Sequence, residues 1–94
     1  MPELFTTPRF VRAYRSLAGK NPALQLQIDQ TLRRMAADAN DPRLKTHHLS
    51  GELAGFLACS AGYDLRIVFS KQKNEKTGAE VLVLTNIGTH DEVY

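Results

Sequence analysis

LRIVFSKQKNEKTGAEVLVLTNI, residues 65–87, is two apolar runs around a polar one. LRIVFS (65–70) and VLVLTNI (81–87) are rich in β-branched and aromatic residues. The KQKNEKTGAE stretch between them (71–80) is polar with a glycine near its end. That pattern predicts a β-hairpin with its loop at 71–80. VLVLTNI is nearly continuous in its apolarity rather than alternating. It therefore reads as a central strand buried on both faces, one of them under helices.

Working outward, FLACS (56–60) is a further short apolar run that stops at Ala61-Gly62. Leu44–Leu49 reads as another strand or an extended lead-in, and Leu4–Thr6 as a short strand pairing back onto the sheet. Between these lie two helix signals. Thr7-Pro8 is an N-cap followed by a first-turn proline, and Phe10, Ala13, Tyr14 and Leu17 then recur at helical spacing up to Gly19. Asn21-Pro22 repeats the start signal, with Leu24, Ile28, Thr31, Leu32 and Met35 as the stripe and Asn40-Asp41-Pro42 as the stop. Two helices joined by a tight turn and followed by strands define an α+β fold: an N-terminal helical hairpin packed on one face of a small, mainly antiparallel, curved β-sheet.

The 94 residues suffice for one domain spanning 1–94. No apolar run approaches the roughly 20 residues of a membrane helix, so no membrane partner is expected. MPELFTTPRF lacks the apolar core of a secretion signal. The single cysteine, Cys59, cannot form an internal disulfide and fits a cytoplasmic location. The net charge of +2 is unevenly spread: residues 1–50 hold eight Lys/Arg against four acids, residues 51–94 four against six. The excess includes Arg9, Arg12, Arg33 and Arg34 on the helices, a face suited to an acidic partner or to nucleic acid, and equally to plain solvation.

Three histidines carry the most chemistry: His47, His48 and His90. Adjacent residues in a strand point to opposite faces, so His47 and His48 do not share a site. No HxxxH, HExxH or CxxC spacing points to a metal cage, and no phosphate loop is present. Cys59 sits in an apolar run and reads as a small core residue. Asp64 and Arg66, two apart in the expected strand, share a face either as an ion pair or as a displayed cation and carboxylate.

LKTHHLSGELAGFLACSAGYDLRIVF (44–69), then an apolar strand and IGTHDEVY (87–94), resembles the RelE/ParE superfamily of toxins from type II toxin–antitoxin systems. The likeness is greatest to the RelE/StbE branch with YafQ-like features. Its most specific parts are T-H-x-L-x-G (46–51), Y-D-x-R-I (63–67) and G-T-H-D-E-V-Y (88–94). The resemblance implies a ribosome-dependent mRNA endonuclease that works in the 30S A site without metal or other cofactor. In that chemistry the 2′-hydroxyl of the mRNA attacks the adjacent phosphate. It implies a cognate antitoxin as partner, beside ribosome and mRNA. Carried over by motif, the catalytic residues are His47, Asp64, Arg66 and His90. His47 and His90 would divide base and acid duties, Arg66 would stabilise the phosphate, and Asp64 would orient a histidine or Arg66. Lys45, Arg9, Arg12, Arg33, Arg34 and Tyr94 would contact RNA or ribosome. Gly88 would let the backbone turn so that His90 reaches the substrate, and Asp91 and Glu92 would cap or pair with helix arginines. Ser60 departs from the pattern, standing where YafQ-like sequences carry a second histidine. Two alternatives share the fold: a ParE-like gyrase inhibitor, and a non-catalytic member that only binds its antitoxin.

Overall fold

The computed structural model describes residues 2–94. In chain order it contains β1 (Glu3–Thr6), α1 (Pro8–Ala18), α2 (Pro22–Ala37), β2 (His47–His48), β3 (Leu57–Gly62), β4 (Leu65–Lys73), β5 (Glu80–Thr89) and α3 (His90–Val93). Single 3-10 turns at Pro42–Leu44 and Gly51–Leu53 flank β2. The five strands form one sheet in the order β1-β5-β4-β3-β2. β1 runs parallel to β5 and every other pair is antiparallel.

The helix starts arise from their caps. Thr7 Oγ1 accepts from the Phe10 amide at 3.2 Å, and Asn21 Oδ1 from the Leu24 amide at 3.1 Å. Thr7 also ties α1 to the central strand, because its amide and hydroxyl both donate to the Leu84 carbonyl at 3.1 and 3.0 Å. Across the helical hairpin, the Tyr14 hydroxyl donates to Asp29 Oδ1 at 2.9 Å. Phe10, Ala18, Ile28 and Met35 press onto one sheet face, meeting Leu57, Cys59 and Ala61 of β3, Leu65, Ile67 and Phe69 of β4, and Leu82, Leu84 and Ile87 of β5.

Leu84 and Ile87 are three apart, yet both face the helices. A bulge explains this: Phe69 pairs with Leu84 and Val68 with Asn86, so Thr85 is an extra residue in β5. Its hydroxyl donates to the Val68 carbonyl at 2.9 Å and fills the gap in the ladder. The bulge thus turns Asn86 and Gly88 onto the face away from the helices. A second irregularity, between Ser60 and Gly62, leaves the buried Ala61 as the extra residue in β3.

Several sequence expectations change in detail. The loop shortens to residues 74–79, because Lys71, Gln72 and Lys73 continue the ladder with Leu82, Val81 and Glu80. Asn74 tightens that loop by accepting from the Lys76 amide at 2.9 Å, and Gly78 supplies a positive φ of 75°. Leu44–Leu49 contributes only the two-residue β2. Gly88 does not turn the chain: β5 runs straight through it to Thr89.

Candidate functional site

Register places the candidate residues on the face opposite the helices. His47 pairs with Ala58, Ala58 with Val68 and Val68 with Asn86; one step along, Ser60 pairs with Arg66 and Arg66 with Gly88. Paired residues share a face, so β2, β3 and β4 present His47, Ser60 and Arg66 together.

The chain then folds back over that face. Thr89 and Glu92 form a capping box, with the Thr89 amide donating to Glu92 Oε1 at 2.8 Å. This hydrogen bond holds the Glu92 carboxyl below the usual glutamate range. α3 buries Val93 and lies close over Gly88, where an added Cβ would come within 3.1 Å of Glu92 Cβ and 3.2 Å of Val93 Cγ1. Glycine is needed here for close approach, not for a bend.

Folding back brings Tyr94 to the middle of the constellation. Its hydroxyl is 3.2 Å from His47 Nε2. Its ring meets the His90 ring edge-to-face at 4.4 Å between centroids. Partial burial raises the Tyr94 pKa while the charge of Arg66 opposes the rise, so the hydroxyl keeps its proton at neutral pH. Tyr94 is a link between the two histidines, a position no spacing rule in the sequence indicates.

The other expected residues divide. The Arg66 guanidinium donates to the carbonyl oxygens of Leu65 at 3.1 Å and Gly62 at 3.4 Å. It borders an open cleft lined by Lys45, Ser60, Gly62, Tyr63 and Asp64. Asp64 is not on the strand. It occupies the β3–β4 turn with φ 55°, a left-handed conformation that aspartate tolerates, so the shared-face pairing with Arg66 does not form. Among the described residues the one ion pair is Arg43–Asp41 at 2.7 Å. Asp91 and Glu92 accordingly pair with no helix arginine; Glu92 caps its own turn instead. Tyr63, fully exposed at the rim of the cleft, was not singled out from the sequence. Its place beside Asp64 in Y-D-x-R-I was the available signal.

Lys45 is also left-handed, at φ 50° and ψ 43°, a conformation costing about 1–2 kcal/mol for a residue with a Cβ. The strain aims the Lys45 carbonyl at His47 Nδ1, 3.4 Å away. Of the helix arginines, Arg9 lines a pocket with Glu92, Val93 and Tyr94. Arg12, Arg33 and Arg34 belong to the helical layer on the other side of the sheet. Cys59 lies behind the site, fully buried, with its thiol pushed up to about 12 by desolvation. Among the described residues no three His, Cys, Asp or Glu side chains converge as a metal cage, and no helix is long and apolar enough to cross a membrane.

Residues 3–94 match the family described as bacterial toxin of type II toxin-antitoxin system, YafQ. The chain belongs to that family. Solved structures agree on the fold. YafQ from E. coli strain BL21(DE3) superposes with a TM-score of 0.77 at 12% identity, over 100% of this chain and 99% of that one. A YoeB/ParE toxin from Agrobacterium tumefaciens gives 0.76 at 16% identity, over 94% and 98%. YafQ in the E. coli DinJ-YafQ complex gives 0.74 at 14% identity, over 100% and 99%. No functionally curated protein matches the chain. As a YafQ-family toxin, the chain departs from the pattern read in its sequence at Ser60, whose hydroxyl donates to the Gly62 carbonyl at 3.1 Å.

Proposed function

We propose that this YafQ-family toxin is a ribosome-dependent mRNA endonuclease acting from the cytoplasm. The observation that carries the reading is the convergence of His47, Tyr94, His90 and Arg66 on one open sheet face. Cleavage by internal transfer needs a base, an acid and a cation, and two histidines and an arginine supply those three groups. His47 takes the 2′-hydroxyl proton as the 2′-oxygen bonds to phosphorus. The bond from phosphorus to the 5′-oxygen breaks, and His90 protonates the departing oxygen. Arg66 and Lys45 balance the charge growing on the phosphate. The step leaves a 2′,3′-cyclic phosphate and consumes no cofactor. Asp64 sets the turn that carries Arg66 to the cleft rather than bonding to it. Arg9 extends the basic surface beside Tyr94.

The partner is a cognate antitoxin, a reading supported by the DinJ-YafQ complex and by the YoeB-YefM complex of Staphylococcus aureus. Arg12, Arg33 and Arg34 offer phosphate or carboxylate contacts on the helical side, so ribosomal RNA and antitoxin can meet different surfaces from the mRNA.

The test is cell-free translation with mRNA 5′ ends mapped by primer extension, with and without ribosomes. New ends appear only when ribosomes are present, and His47→Ala or His90→Ala each reduces them by about 10²-fold or more. Intact mRNA in the presence of folded protein overturns the nuclease reading and directs attention to gyrase.

A further inference from the structure

The two ring nitrogens of His47 have different neighbours. Nδ1 lies 3.4 Å from the Lys45 carbonyl oxygen, and Nε2 lies 3.2 Å from the Tyr94 hydroxyl. A carbonyl oxygen can only accept, whereas a tyrosine hydroxyl, though able to do both, is much the better donor because its oxygen lone pair is delocalised into the ring. In a neutral imidazole one nitrogen carries the proton and the other offers a lone pair. If Nε2 carried the proton, the Nδ1 lone pair would face the lone pairs of the Lys45 carbonyl. With the proton on Nδ1, both contacts are satisfied: Nδ1–H donates to Lys45 and the Tyr94 O–H donates to Nε2.

We infer that Tyr94 is a positioning residue: it holds neutral His47 in the Nδ1–H form, leaving Nε2 as the proton-accepting nitrogen, and in the free toxin its hydroxyl occupies the place that the attacking hydroxyl must take. The first half stands on the geometry of the free protein. The second half rests on the nuclease reading, which identifies the incoming hydroxyl as the 2′-OH of RNA. Tyr94 is suited to this task by its surroundings. The His90 ring packs edge-to-face against it from α3, and Val93 anchors the same turn. The charge of Arg66 on β4 acts on its hydroxyl, and Arg9 and Glu92 line the pocket beside it. On substrate entry the hydroxyl leaves Nε2 and the 2′-OH donates in its stead. The imidazole is already turned with the correct nitrogen outward, so the proton transfers to Nε2 without ring reorientation. The Lys45 backbone acts from the other side. A lysine side chain is not needed for that contact, but the left-handed turn at its position is.

The test uses ¹⁵N-labelled toxin without RNA, and two-bond ¹H–¹⁵N correlations that distinguish the tautomers of each histidine. Wild-type His47 shows Nδ1–H with an unprotonated Nε2. Tyr94→Phe keeps the ring against His90 and removes only the hydroxyl; the opposite tautomer of His47 then grows in. Wild-type His47 in the Nε2–H form, or a His47 pattern unchanged by Tyr94→Phe, overturns the inference. A purely structural role for Tyr94 would leave the tautomer where it was. In cleavage assays Tyr94→Phe loses about fivefold, the bias that one exposed hydrogen bond provides, far less than the loss on removing His47. If wild-type toxin cleaves nothing, the nuclease reading falls, while the tautomer spectra still decide the role of Tyr94.

Discussion

Gly88→Ala tests whether the site depends on how closely α3 approaches the sheet. Gly88 lies in extended β5 and is absent from the positive-φ residues, so its backbone accepts alanine. Alanine there would gain about 0.5–1 kcal/mol over glycine in the absence of contacts. The contacts reverse this. The new methyl would sit 3.1 Å from Glu92 Cβ, 3.2 Å from Glu92 Oε1 and 3.2 Å from Val93 Cγ1. Overpacking of this kind costs about 1–3 kcal/mol where neighbours cannot yield. What holds α3 in place is of the same size: burial of Val93, about 1.5 kcal/mol at the lower end for such a side chain, and the Thr89 cap, about 1 kcal/mol. The sheet has far more to lose than the tail, so the tail moves. We expect global stability in urea to change by less than about 1 kcal/mol. Tyr94 leaves His47, His90 moves with the same turn, and cleavage falls about 10²-fold because His90 is a reacting group displaced by about an ångström. A variant with wild-type cleavage and an intact Tyr94–His47 contact would refute the reasoning. So would loss of more than about 3 kcal/mol of global stability, which would place Gly88 in the core proper.

Two further outcomes follow from the titrating groups. Cys59 is fully buried with its thiol raised to about 12, so the folded toxin resists iodoacetamide at neutral pH and labels only at the rate at which it opens; prompt labelling of the native protein would contradict this placement. Glu92 is depressed in the folded state by the Thr89 hydrogen bonds. Its contribution is therefore present above the unfolded glutamate pKa and lost as pH falls through the lower folded value. Asp41, held at about 2 by its hydrogen bonds to Arg43, keeps its own turn to still lower pH. Acid titration followed by NMR should show α3 releasing from the sheet below the usual glutamate range, and Asp41 titrating near pH 2. Release of α3 at or above the ordinary glutamate pKa would contradict the capping box.

The architecture was legible where local chemistry and tertiary packing agree. Thr7-Pro8 and Asn21-Pro22 mark both helix starts because their caps act within three residues. VLVLTNI reads as central because a strand between β1 and β4 has no exposed edge. The bulge at Thr85 was not legible: one extra residue inside an apolar run leaves the composition unchanged and shows only in the pairing. Asp64 was misplaced because strand alternation was extended into a turn. For Glu92, capping was one of the two expected roles, and Thr89-x-x-Glu92 has the spacing of a capping box. The contact between Tyr94 and His47 had no local signature, because 47 residues separate the partners and only the folded sheet brings them together.

The parallel pairing of β1 with β5 has a consequence for how the toxin is made. Thr7 reaches the Leu84 carbonyl across 77 residues, and the strand it grips is the last in chain order. During synthesis, β1 and the helices emerge with no central strand to cover, and β3 and β4 emerge without their neighbour. The apolar stripe of Phe10, Ile28 and Met35 therefore waits, wet, until β5 arrives. Long-range closure of this kind slows folding and prolongs exposure to proteases and aggregation. A nascent chain stalled before Glu80 holds His47 and Arg66 but neither His90 nor Tyr94, and its β2-β3-β4 ladder has no β5 to brace it, so the arrangement of reactive groups comes into being only once β5 and the segment after it have joined the sheet.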